Sequence, residues 1–299
     1  MTLNQWTFVS AAAILAAVGV LILLERLRPY DRGERLFREG FWNDLVFYTI
    51  VQNLILAVLI GRFIQWLDGT THLSRLHLIS GWPVWGQVAF FVVSHDFYIY
   101  WFHRWQHHNL LLWRLHEAHH SARHVDWLAG ARSHFFEIMI NQTIEAAPMI
   151  LLGAAPVVPV IKGLISAVWG MYIHSNIDVH SGRLQLVING PEAHRWHHAV
   201  DLEPPGMNFS TKLAIWDHLF ATFYMPRDPS IKPRAYGLTY VDFPRTWWQQ
   251  NLFAFRRFQP EVPAAAAVSA GVSGTELTAI GAGGAPPPGQ PGKGERGNE

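Results

Sequence analysis

"TFVSAAAILAAVGVLILL", residues 7–24, contains no charged side chain. A helix needs about 20 apolar residues to cross the hydrocarbon core of a bilayer. No basic segment precedes this run, and no small-residue cleavage site follows it; the next residues are "ERLRPYDRGERLFRE". The expectation is therefore a retained first membrane helix rather than a cleaved leader. Arg26, Arg28, Arg32, Arg35 and Arg38 would form its basic cytoplasmic flank.

Similar runs recur along the chain. One extends from about Leu45 to Trp66, with Gln52 and Asn53 inside it, and another from about Val84 to Phe102. The block 138–173 is too long for one span and is broken by "GAAPVVP" (153–159), which predicts a hairpin of two short helices. The expected fold is all-α: a membrane helical bundle of about four to five spanning or hairpin helices, with a cytosolic histidine-rich helical cap. The expected organisation is N-terminal membrane helices and basic loop over 1–84, a catalytic region over 85–226, a cytosolic extension over 227–259, and a disordered tail rich in Pro, Ala and Gly over 260–299.

Composition agrees with a membrane setting. Half of the 299 residues are hydrophobic and only 15% are charged, against about 25% in average soluble domains. The 14 Trp suit a bilayer interface. A net charge of +1 argues against nucleic acid as a partner. The absence of cysteine excludes thiolate-held zinc and cysteine-held iron–sulfur clusters within the chain.

The third apolar run leads into "HRWQHHNLLLWRLHEAHH" (103–120), in which six of eighteen residues are histidine. His103 and His107 form H-x-x-x-H; His116, His119 and His120 form H-x-x-H-H, and so do His194, His197 and His198. On a helix, residues at i, i+3 and i+4 share one face, with Cβ atoms about 5–6 Å apart, so each motif can aim several imidazoles at one point. Eight histidines exceed what one ion needs and suit two metals close together. All-nitrogen ligation is compatible with iron, zinc, copper or nickel. Counting spans from the basic flank places all three motifs on one side of the membrane. His72, His77, His108, His124 and His218 read as interfacial or solvated bystanders, and His95 and His180 fit no motif.

These residues resemble the membrane fatty acid hydroxylase and sterol desaturase superfamily. The resemblance covers about 85–226 and rests on "DFYIYWFHRWQHH", "LWRLHEAHHS", "ARSHFFE", "HSNI", "PEAHRWHH" and "WDHLFATFY". It implies a cytosolic di-iron centre, with zinc possible in isolated protein, and dioxygen as co-substrate for hydroxylation or desaturation of a lipid. It implies His103, His107, His116, His119, His120, His194, His197 and His198 as ligands and catalytic centre. His134, in "RSHFFE" where the family has a proline after the histidine, and His174, in "HSNI", are implied as further ligands. Asp96, Glu117, Glu137 and Asp217, with Asn176 and Asn208, are candidates to orient the imidazoles. No flavin, haem or dinucleotide motif is present, so electrons are expected from a separate ferredoxin- or cytochrome b5-like protein. Arg104, Arg114, Arg123 and Arg195 could contact that donor, contact lipid headgroups or simply anchor the cytoplasmic side.

Two other readings remain open. "HEAHH" also fits H-E-x-x-H of a zinc protease, with Glu117 as base. A metal carrier or a bis-histidine haem protein is the non-enzymatic alternative.

Overall fold

The structure, a computed structural model, describes residues 1–202, 206–228, 230–239 and 241–256. The tail expected to be disordered, 260–299, lies outside the described residues. Among the described residues there is no strand, only two isolated backbone bridges, Pro29 with Ile177 and Ala199 with Tyr236. The elements below belong to one compact unit, Met1–Leu238 with Asp242–Arg257.

Helix α1 (Leu3–Leu27) starts at a capping box: Gln5 N donates to Thr2 Oγ1, and Thr2 N donates to Gln5 Oε1. It buries only Leu21 and Glu25, so most of its apolar surface is exposed. A π-helical segment (Asn43–Gln52) continues directly into α2 (Asn53–Thr71). Leu56, Ile60 and Ile64, four residues apart on α2, pack against Ile138, Met139 and Ala147 of α5 (Phe135–Leu151). Helix α6 (Val158–His174) completes the predicted hairpin after a turn at Gly153, whose φ of +74° needs no Cβ.

Among the described residues two helical segments are long and apolar enough to cross a membrane, Leu3–Leu27 and Asn43–Thr71. Helix α3 (Val84–His108) matches α1 in length, but Gln87, Ser94, His95 and Asp96 interrupt its apolar composition. The π-helical start of the second segment is a feature that its periodicity did not foretell. Asp44, at its head, is buried and held by Arg38 and Arg132. The Thr49 hydroxyl donates back to Asp44 O, five residues earlier.

One residue folds the histidine motifs onto each other. Asn109 is extended (φ −128°, ψ 118°), which ends α3, and its Oδ1 accepts from Leu111 N and Leu112 N at the start of α4 (Leu110–His120). Helix α7 (Pro191–His197) begins at a proline, where a missing N–H costs nothing, and carries the last motif. The short helices α8 (Ile215–Leu219) and α9 (Trp247–Phe253) close the structure around this layer.

Candidate metal centre

Among the described residues the histidines gather into two groups. His103, His107, His116, His120 and His197 form one, and His119, His174, His194 and His198 the other; within each, the potential ligand atoms lie within 4.8 Å of one another. The groups adjoin: the His120 and His198 rings stack with centroids 4.6 Å apart. Nine of the ten residues expected as ligands are thus brought together, all of them buried.

The motifs do not each serve one point, as their spacing suggested. His116 and His120 face the five-histidine group while His119 faces the other; His194 and His198 face the four-histidine group while His197 crosses to the first. In both motifs i and i+4 stay together and i+3 departs. Adjacent residues i+3 and i+4 differ by about 100° around a helix, enough to straddle two centres.

Orientation comes mostly from backbone carbonyls. Nδ1–H donates to Phe209 O from His103 (2.8 Å), to Arg132 O from His119 (3.0 Å), to Gly170 O from His174 (2.7 Å) and to Met207 O from His197 (2.7 Å). A carbonyl can only accept, so the proton sits on Nδ1 and Nε2 presents a lone pair. Glu137 acts similarly on His116 (2.8 Å). The consequence is clearest at His119 and His174, whose Nε2 atoms lie 3.2 Å apart with both protons committed elsewhere. Two lone pairs face each other in a buried site, an arrangement that a cation relieves. Two nitrogens on one ion at about 2.0–2.1 Å lie about 2.9–3.3 Å apart. The observed Nε2 separations of 2.9 Å (His174–His194), 3.1 Å (His120–His197) and 3.2 Å (His116–His120, His194–His198) match that spacing. Buried His103 Nε2 has no hydrogen-bond partner. The donor set therefore fits two nitrogen-ligated metal ions.

Electrostatics favour the neutral, ligating form. Burial first and neighbouring imidazoles second hold His119, His120, His194 and His198 well below the usual imidazole value. Burial pushes His197 down to about 3.

His134 stands apart from both groups. Its Nε2–H donates to Asn251 O (2.9 Å), and its Nδ1 accepts from Phe136 N (3.1 Å) as the N-cap of α5. Both ring nitrogens are hydrogen-bonded to the backbone, and His134 lies outside both groups. Of the side chains expected to orient imidazoles, Glu137 bonds His116. Asp96 instead accepts from Lys212 N, Leu213 N, Thr211 Oγ1 and Trp216 Nε1. Asp217 accepts from Phe209 N, Ser210 N and Thr222 Oγ1. The two aspartates hold the loop whose carbonyls orient His103 and His197. Asn208 ties that loop to Ala193 O and Tyr224, and Asn176 binds Asp31. Glu117 is clasped by both terminal nitrogens of Arg256 (2.7 and 2.8 Å), which removes it from the role of protease base.

Several arginines expected at the surface are internal. Arg195 is buried, donates to Ser175 O and Ile177 O, and lies 3.7 Å from the Tyr30 ring centre. Arg114 is buried and donates to Arg256 O. Arg38, read as part of the basic flank, is buried in a chain of ion pairs: it binds Asp126 through two nitrogens and Asp44 through a third, and Asp44 also binds Arg132. Arg123 is exposed and Arg104 half-buried beside Tyr100. Among the other histidines, His95 accepts from Lys162, His124 pairs with Glu34 and His218 donates to Gln185 O. His108 and His180 are exposed, and His72 and His77 occupy left-handed turn positions.

Gly130 is a site residue that motif reading missed. A Cβ there would fall 2.4 Å from His174 Nδ1, so only glycine lets this ring seat.

Residues 88–222 match the fatty acid hydroxylase family model. The chain is 32% identical over 222 residues to an ornithine lipid hydroxylase of Rhizobium tropici, covering 72% of this chain and 67% of that one. It is 31% identical over 169 residues to an alkylglycerol monooxygenase of Danio rerio, covering 56% of this chain but 36% of that protein. A Delta(7)-sterol 5(6)-desaturase of Leptosphaeria maculans is 26% identical over 157 residues, covering 50% of this chain and 40% of the desaturase. No solved structure matches. The chain belongs to the fatty acid hydroxylase family and is an oxidoreductase.

Proposed function

We propose that the protein is a membrane di-iron oxygenase that uses dioxygen and external electrons to hydroxylate a C–H bond of a lipid. The observation that carries this reading is the pair of converging Nε2 sets, with lone pairs directed inward by carbonyls at Phe209, Met207, Arg132 and Gly170. His103, His107, His116, His120 and His197 would hold one ion, and His119, His174, His194 and His198 the other. When bound, the iron pair would activate dioxygen, so that one oxygen atom enters the C–H bond and the other leaves as water with two electrons and two protons. The chain's own contribution is to keep the imidazoles neutral by burial, fix their tautomers and exclude bulk water from the oxidant. Hydroxylation is preferred to desaturation because the relatives sharing 31–32% identity are named for oxygen insertion, whereas the desaturase shares 26%.

The electrons would come from a separate ferredoxin- or cytochrome b5-like donor. The centre would lie at the cytoplasmic surface of a multi-pass bundle. In support, the chain after α1, with Arg28 and Arg32, runs beside His174: Asp178 N donates to Arg28 O and Tyr30 N to Asn176 O. Five imidazoles in one group exceed the three ligands a zinc protease needs.

The test is metal analysis of protein purified from iron-replete cells, with oxygen uptake measured on membrane lipid extract and a reductant. Two irons per chain and a lipid product gaining one oxygen are expected. A single zinc with peptide hydrolysis would overturn the reading.

A further inference from the structure

A cavity of about 670 Å³ lies between α1, α2, α5 and α6. One end abuts the metal centre: Gly130 and Gly170 line it, and both touch His174. Its walls are largely apolar, including Ile14, Ile138, Met149 and Met171, and Gly163 and Ala167 leave room along α6. Gln52, Asn53 and Gln142 bring amides to one side of it, and Glu145 with Ser166 places a carboxylate and a hydroxyl on the wall. Behind them the fully buried Lys162 ammonium donates to Glu145, to Ser166 Oγ (3.1 Å) and to His95 Nδ1 (2.8 Å). Ser166 Oγ also donates to Glu145 (2.9 Å).

Ionisable groups amid apolar helices are costly and mark function by default. Among the described residues both bonds that Glu145 accepts fall on Oε1, which leaves Oε2 as the atom available to a ligand. Three helices agree on where this polar station lies. Glu145 follows Glu137, Ser166 precedes His174 and His95 precedes His103, each by eight residues, or about 12 Å of helix.

We infer that the cavity binds a lipid whose buried portion carries a hydroxyl or amide N–H, which donates to Glu145 Oε2. A plain hydrocarbon chain would leave that oxygen unpaired in an apolar cavity, whereas a donor satisfies it. The station lies a fixed distance from the histidines, so it would also set which carbon faces them. This inference rests on the lipid reading above.

The test is equilibrium binding to the full-length protein in detergent, using radiolabelled 1-hexadecanol and its methyl ether, which differ in the donor hydrogen. A hydrogen bond to a carboxylate predicts about tenfold or greater preference for the alcohol. The double variant Glu145→Leu/Lys162→Met removes both charges together, so no lone ion is left buried. It should bind the two probes equally. Ala167→Phe, which fills part of the cavity and keeps both charges, should weaken both. Equal affinities in the wild type, a preference that survives the double variant, or unchanged alcohol binding in Ala167→Phe would each overturn the inference. Iron content of the same samples reports separately on the metal reading, and its loss in the wild type would leave the binding comparison intact.

Discussion

His134 and His119 have similar sequence settings, each a histidine near an acidic residue in a helical segment, yet their nitrogens do different work. His119 turns Nε2 to His174 after committing Nδ1–H to Arg132 O, whereas His134 spends both nitrogens on the backbone. The two substitutions should therefore separate. His119→Ala is expected to lose the metal of the four-histidine group and abolish turnover while the protein still inserts in the membrane. His134→Ala is expected to keep its metal and lose about 1 kcal/mol of stability as α5 loses its cap. Metal content and thermal unfolding of both purified variants check this. Loss of metal from His134→Ala would reopen its role as a ligand.

At the scale of elements, the histidine helices are held by charged side chains that work through the backbone rather than on the imidazoles. Asp96 and Asp217 shape the loop that presents Phe209 O and Met207 O, and the ion pairs joining Arg38, Asp44, Asp126 and Arg132 tie the start of the second membrane-length helix to the segment presenting Arg132 O. Asp44 is completely buried between two guanidinium groups. Asp44→Ala leaves one charge of Arg132 uncompensated, and removal of one member of such a buried set costs about 3–5 kcal/mol. The expected outcome is a strongly lowered unfolding temperature with reduced metal content, because the carbonyl that orients His119 shifts with Arg132. An unfolding temperature equal to wild type would show that the network carries little stability.

For the whole molecule, the depressed histidines couple folding to pH. The folded protein keeps His197 neutral down to about 3, and His119, His120, His194 and His198 are also held well below 6.5. In the unfolded chain these imidazoles protonate at about 6.5. Below that pH the unfolded state binds more protons, so stability is present above about 6.5 and is lost as pH falls towards the folded values. Metal release follows the same direction, since only neutral imidazole ligates. Chelator-treated protein should unfold at clearly lower temperature at about pH 5 than at about pH 8, with little change above about pH 7. A flat profile across that range would contradict the burial of the cluster.

The helical class, the apolar segments, the hairpin break at 153–159 and most of the clustered histidines can be read directly from the amino acids. Those features are written in local patterns: charge-free runs, a Gly-Pro break, and i, i+3, i+4 spacing. Folding in three dimensions was needed to see how each H-x-x-H-H motif divides between two groups, that His134 caps a helix, and that Asp96, Asp217, Glu117 and Arg195 bond to other partners. Those outcomes depend on the turn at Asn109, the contact between Gly130 and His174, and carbonyls far along the chain. A side chain's type reports what it can bond, whereas its partner is set by which distant backbone the packing brings within reach.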